Sequence, residues 1–139
     1  MTDATFEKIG RSEKCFYGPR KLLLCGFSPA AQPKFKALLG MLTMDDLQLI
    51  WCGTVEGPET VARLMQLPNG CGEGVDSSLP RAIIVAGINE NELHRLMSAC
   101  RQSGMQQALW AVLTTVSETW PLDRLLGELD AERRSLAGC

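Results

Sequence analysis

Hydrophobic residues in this chain come in short continuous runs separated by segments of helical period. KLLLCGF (21–27), LQLIWCG (47–53), RAIIVAG (81–87) and ALWAVLTT (108–115) are apolar at successive positions and bounded by turn-forming residues. That is the pattern of strands buried on both faces of a sheet. Between the runs the period lengthens. After GFSP, the residues Phe35, Leu38, Leu39 and Leu42 share one helical face, with Ser28 placed to cap and Pro29 at the first helical position. Pro33 implies either a distorted first turn or a helix that begins there. GPETVARLMQL (57–67) predicts a short helix burying Val61, Leu64 and Met65. Asn89 and Glu92 have capping-box spacing ahead of a helix whose inner face is Leu93, Leu96, Met97 and Cys100 and which ends at Gly104. Pro121 opens a last helix with Leu122, Leu125, Leu126, Leu129 and Leu136 on one stripe. Residues 1–18 are polar without a sustained period and predict a flexible arm, and PNGCGEGVDSSLP (68–80) predicts an exposed connector.

The pattern occurs twice. PRKLLLCGFS begins at Pro19 and PRAIIVAGIN at Pro80, and the same 61-residue offset pairs Gly26 with Gly87, Met44 with Met105, Thr54 with Thr115, and Arg63 with Arg124. Strand falls on strand and helix on helix. This predicts one α/β domain of two tandem β-α-β-α repeats, 19–67 and 80–136, joined by a linker at 68–79. Each repeat alone would leave one sheet face uncovered, so the halves must pack together. Right-handed crossovers predict a parallel four-stranded sheet with helices on both faces. A ferredoxin-like antiparallel α+β arrangement is the alternative.

The second repeat resembles a known family. IIVAGINENELHRLM followed by ALWAVLTTVSETWPLDRLLGEL is similar to the bacterial and archaeal domain-of-unknown-function family 3783. The residues carrying the likeness are Gly87, Asn89, Glu92, Leu93, Thr115, Trp120, Leu125, Leu126 and Leu129, over about 80–136, with the first half matching as a diverged copy. The family has no established activity, so the resemblance implies the domain and transfers no mechanism.

Composition narrows the function classes. The 139 residues carry 14 basic and 16 acidic side chains, a balance without the footprint of a nucleic-acid binder. No apolar stretch approaches membrane-spanning length, and the polar segment TFEKIGRSEK has no secretory signal character. Six cysteines include no C-x-x-C pair, and Cys25, Cys52 and Cys100 lie in apolar stretches, so free thiols in the cytoplasm are expected. With one histidine, no metal site is expected, and no cofactor.

Chemical motifs are sparse. There is no Walker A sequence and no nucleophile elbow, GCGEG (70–74) follows no strand, and His94 has no nucleophile near it in sequence. Cys71 has acidic neighbours, which do not activate a thiol. The expectation is therefore no catalytic residue, and a non-catalytic interaction or regulatory module whose partner is a protein or a small molecule, with a homodimer also open. The rival is a binder of a small, anionic ligand, or a minor enzyme, working through strand-end loops. Candidate ligand residues are Gly26, Ser28, Thr54, Gly87, Asn89, Thr115, Ser117 and Trp120. In a parallel sheet these would gather at one carboxyl edge, where ligands bind. Against binding stands a simpler role for each: glycine ends a strand, Ser or Asn caps a helix, and hydroxyls bond loop amides.

Overall fold

Each of the four apolar runs forms a strand: β1 (Lys21–Cys25), β2 (Gln48–Cys52), β3 (Ala82–Ala86) and β4 (Leu109–Val112). The computed structural model describes residues 14–137. The strands form one sheet in the order β2-β1-β3-β4. β1 pairs parallel with β2, and β3 parallel with β4, but β1 and β3 are antiparallel. The sheet is thus mixed, which corrects the expectation of four parallel strands. A ferredoxin-like order does not arise either, because each crossover joins neighbouring strands with no third strand between them.

The connector explains the reversal. It climbs the free edge of β2, where Gly70 N–H donates to Leu49 O and Trp51 N–H to Cys71 O (2.8 and 2.9 Å), while Asn69 Oδ1 accepts from Leu49 N–H (2.7 Å). Above the strand ends, Ser77 Oγ accepts from Gly26 N–H and donates to Cys52 O. Buried Gln32 holds the strap from below, donating to Val75 O and accepting from Gly74 N–H. The chain therefore enters β3 at the carboxyl end of β1 and must run the other way. The same strap covers an edge that would otherwise be open to association.

Helices cover both faces. Helix α1 (Ala31–Met41) and helix α3 (Glu90–Gln102) pack on Leu22, Leu24, Leu49, Trp51, Ile83 and Val85. On the opposite face, α2 (Val61–Leu64) and α4 (Leu122–Ala137) pack on Leu23, Ile50, Cys52 and Ile84. Pro33 sits in the first turn of α1, where its missing N–H leaves no helical bond unmade. Helix α2 is shorter than its sequence suggested. Gly57 and Pro58 lie outside it and Thr60 caps it, the hydroxyl accepting from Arg63 N–H.

A 61-residue shift relates the halves in space as well as in sequence. Leu23 faces Ile84, its own counterpart, and Lys21 faces Ala86 as Cys25 faces Ala82. The ladder thus maps onto itself, as at a two-fold axis. The same axis passes between Thr60 and Pro121, also counterparts, which form an antiparallel bridge on the α2/α4 face. Around it Val61 N–H donates to Trp120 O and Leu122 N–H to Glu59 O (3.0 and 2.8 Å). The two glycines that end β1 and β3 are reciprocal too. Gly26 and Gly87 have φ of +76° and +69°, and each presses on the backbone of the arginine that precedes the other half's first strand.

Of the predicted arm, residues 1–13 lie outside the described residues. Cys15 bridges to Asn89, and Phe16 N–H donates to Ile88 O (2.8 Å), so this stretch is fastened to the second half. No helix among the described residues is long and apolar enough to cross a membrane.

Candidate functional site

Because the sheet is mixed, the eight candidate residues do not share an edge. Gly26, Ser28 and Thr54 follow β1 and β2 at one end, and Gly87, Asn89, Thr115, Ser117 and Trp120 follow β3 and β4 at the other. The expected common crevice at the strands' carboxyl edges is absent for that reason. The loops after β2 and β4 do meet, but over the α2/α4 face at the Thr60–Pro121 bridge.

Most of these residues are engaged locally. Ser28 Oγ accepts from Ala31 N–H (3.2 Å), as Asn89 Oδ1 accepts from Glu92 N–H (2.7 Å). Glu92 returns the contact by accepting from Asn89 N–H, completing the capping box. Thr54 and Ser78 share a hydroxyl hydrogen bond (2.5 Å). Thr114 N–H donates to Ser117 Oγ, and Ser117 N–H to Thr114 Oγ1, a closed turn just after β4. Thr115 is exposed. Trp120 is half-buried against the core, with Arg124 stacked on its ring at 4.5 Å.

The capped helix after Gly87 and the Trp120 turn into α4 contain residues that carry the family resemblance. Residues 81–136 match the family model of DUF3783, a domain of unknown function. The DUF3783 segment begins at the arginine before β3 and runs through α4, so it spans one complete β-α-β-α unit. No curated protein and no solved structure matches the chain.

Charge is concentrated beside the capping box of the DUF3783 segment. Arg20 Nη2 contacts Glu92 Oε2 and its Nε contacts Asp46 Oδ2, both at 2.6 Å. The Arg20 guanidinium holds both carboxyl groups below their usual range, and Glu92 above all raises the arginine in return. This triad ties α3 to the start of β1, and its cation is neutralised.

Two buried thiols are shifted away from activation. Cys25 and Cys52 face each other in register and are buried, and the contact with Cys25 together with burial raises the Cys52 thiol strongly. Cys100 is pushed up to about 11 by burial, against the pull of Arg81. Cys25, Cys52, Cys71 and Cys100 are in no disulfide. Among the described residues no group of three His, Cys, Asp or Glu side chains is placed to hold a metal ion. His94 is exposed on α3.

A different feature was missed in the sequence. β4 pairs only with β3, and Leu109 N–H and Leu113 N–H both point inward, to Arg81 O and Val85 O. Strand alternation turns the N–H and C=O of Trp110 and Val112 outward, where no strand or strap among the described residues meets them. Beside this edge, between α3 and β4, lies a groove of about 450 Å³ lined by Met97, Cys100, Arg101, Met105, Ala108 and Trp110. Those apolar residues read as ordinary core in sequence, since nothing local says that β4 is an edge.

Proposed function

We propose that this protein is a non-catalytic interaction module that takes an extended segment of a partner protein onto the free edge of β4. The observation that carries this reading is the asymmetry of the two sheet edges. β2 is covered by the 68–75 strap, whereas β4 presents outward backbone groups at Trp110 and Val112. Strand addition draws affinity from such groups and specificity from adjoining pockets. The Met97–Met105–Trp110 groove supplies a pocket of adaptable lining suited to an apolar side chain, with Arg101 at its rim.

Two further elements belong to the proposal. The halves descend from one duplicated unit, of which 19–67 is the diverged copy. The ladder that maps onto itself about Leu23 and Ile84 supports this. The chain acts in a bacterial cytoplasm with its thiols reduced, which the buried, unpaired Cys25, Cys52 and Cys100 support.

The test uses peptides selected from a random display library on the full chain, then measured against Val112→Pro. Proline at an outward-facing edge position leaves the β3 ladder intact and blocks an added strand. Binding should fall at least ~10-fold, equivalent to about 1.4 kcal/mol, while the circular dichroism is retained. Selected peptides that bind the variant unchanged, or whose NMR perturbations miss both 97–105 and 108–113, would overturn the proposal. Self-association through β4, lost in the same variant, would replace the peptide partner by a second copy.

A further inference from the structure

The two-fold relation exposes one place where the halves differ in charge. Arg81 is the counterpart of Arg20, and the counterparts of Glu92 and Asp46 lie 61 positions before the first and 61 after the second. At the matching position to Glu92 stands Ala31, and at the position matching Asp46 stands Gln107. Both acids are missing around Arg81. The side chain is nonetheless only 8% exposed. Its Nε donates to Gly26 O (3.0 Å) and its guanidinium lies 4.0 Å over the Phe27 ring. No carboxylate among the described residues forms a salt bridge with it, and its hydrogen bond to Gly26 O uses Nε. Burial lowers its pKa, the sign of a cation short of solvent and counter-charge.

Arg81 lines a cleft of about 330 Å³ between the start of α1 and the turn from α3 to β4. Ser28, Ala31, Lys34, Ser103 and Gln106 also line it, and no acidic residue does. Lys34 is the counterpart of Arg95, but Arg95 donates to Leu42 O whereas Lys34 makes no ion pair among the described residues. In a chain of net charge −2, this cleft therefore holds two cations beside the polar side chains of Ser28 and Gln106, while the Ser103 hydroxyl donates to Cys100 O. The first turn of α1 contributes little, since Ser28 O and Oγ already accept from its amides.

We infer that this cleft binds a small-molecule carboxylate, which supplies to Arg81 the negative charge that Glu92 and Asp46 supply to Arg20. A carboxylate suits the guanidinium fork, and burial strengthens such a pair. The cleft is large enough for a di- or tricarboxylate, with Lys34 reaching a second carboxyl group. The cleft adjoins the β4 groove, with Met105 and Gln106 lining both, but the inference rests on Arg81 and not on strand addition.

The test is a ¹⁵N NMR titration of the full chain with sodium succinate and sodium citrate, with sodium chloride at matched ionic strength and sodium phosphate as the other anions. Saturable shifts should centre on 28–34, Arg81 and 103–106. Ala31→Glu restores the missing acid at a half-buried position in the first turn of α1, where a carboxylate suits the helix end, so it should fold and should weaken binding at least ~10-fold by occupying the cleft from within. Arg81→Leu should abolish binding, with Ala31→Glu keeping the test valid if that variant does not fold. Shifts no larger than those with chloride, unchanged affinity in Ala31→Glu, or a preference for phosphate over both carboxylates would each overturn the inference.

Discussion

Replacing Gly26 or Gly87 with alanine probes the two-fold packing directly. At Gly87 a Cβ would lie 2.5 Å from Arg20 N, 2.6 Å from Arg20 Cα and 2.6 Å from Pro19 C. At Gly26 it would lie 2.6 Å from Leu79 O and 2.7 Å from Arg81 N. All are backbone atoms, so no side chain can rotate away and a strand end has to shift. The left-handed conformation costs an alanine about 1–2 kcal/mol, and forcing a methyl into a filled space adds about 1–3 kcal/mol. Each variant should therefore lose about 2–5 kcal/mol. Gly74→Ala is the control, since its φ is +88° but nothing lies within 4 Å of its Cβ position. It should lose only the conformational part, about 1–2 kcal/mol. Urea unfolding followed by tryptophan fluorescence reads all three. Gly26→Ala or Gly87→Ala no more destabilising than Gly74→Ala would refute the close approach and, with it, the antiparallel β1–β3 junction.

Two further outcomes follow from individual contacts. Lys21 is buried, and its Nζ donates to Met65 O (2.6 Å) and Leu67 O (2.9 Å) at the end of α2. Lys21→Met leaves both carbonyls without that donor and should cost about 1–3 kcal/mol in urea unfolding; an unchanged midpoint would contradict it. Arg20 depresses the carboxyls of Glu92 and Asp46. A depressed folded pKa contributes stability that is present above the unfolded value, about 4, and is lost as pH falls through the folded one. The urea midpoint should therefore drop below about pH 4, and Glu92→Gln, which retains an acceptor for the cap, should flatten that drop. A variant profile as steep as the wild type would contradict this.

The strands and the order of elements were legible in the sequence because continuous apolar runs and cap-bearing helices are local signals. KLLLC and AIIVA are wholly buried strands, and the Asn89–Glu92 box forms where its spacing placed it. Strand direction was not legible. Crossover handedness fixes direction within each half, but the relation between the halves depends on the connector's path. That path is set by Asn69, Ser77 and Gln32, whose hydrogen bonds to distant backbone leave no pattern in a turn-rich segment. With direction reversed, Thr115, Ser117 and Trp120 lie at the opposite end of the sheet from Gly26 and Ser28. The edge position of β4 was hidden for the same reason, since strand order is a property of the whole sheet. Arg81 was within reach of sequence comparison alone, because the repeat that aligns it with Arg20 also aligns Ala31 with Glu92.

The claim that β4 offers an open edge is tested most directly by residue-resolved amide exchange on the full chain, measured by NMR under native conditions. The bonds of Leu109 and Leu113 to β3, and the alternation they impose, divide the strand into inward and outward amides. Leu109, Ala111 and Leu113 should exchange slowly, and Trp110 and Val112 at least ~10-fold faster, a difference of about 1.4 kcal/mol in opening. Protection of Trp110 and Val112 equal to that of Ala111 would mean that the edge is already covered, and would contradict the account.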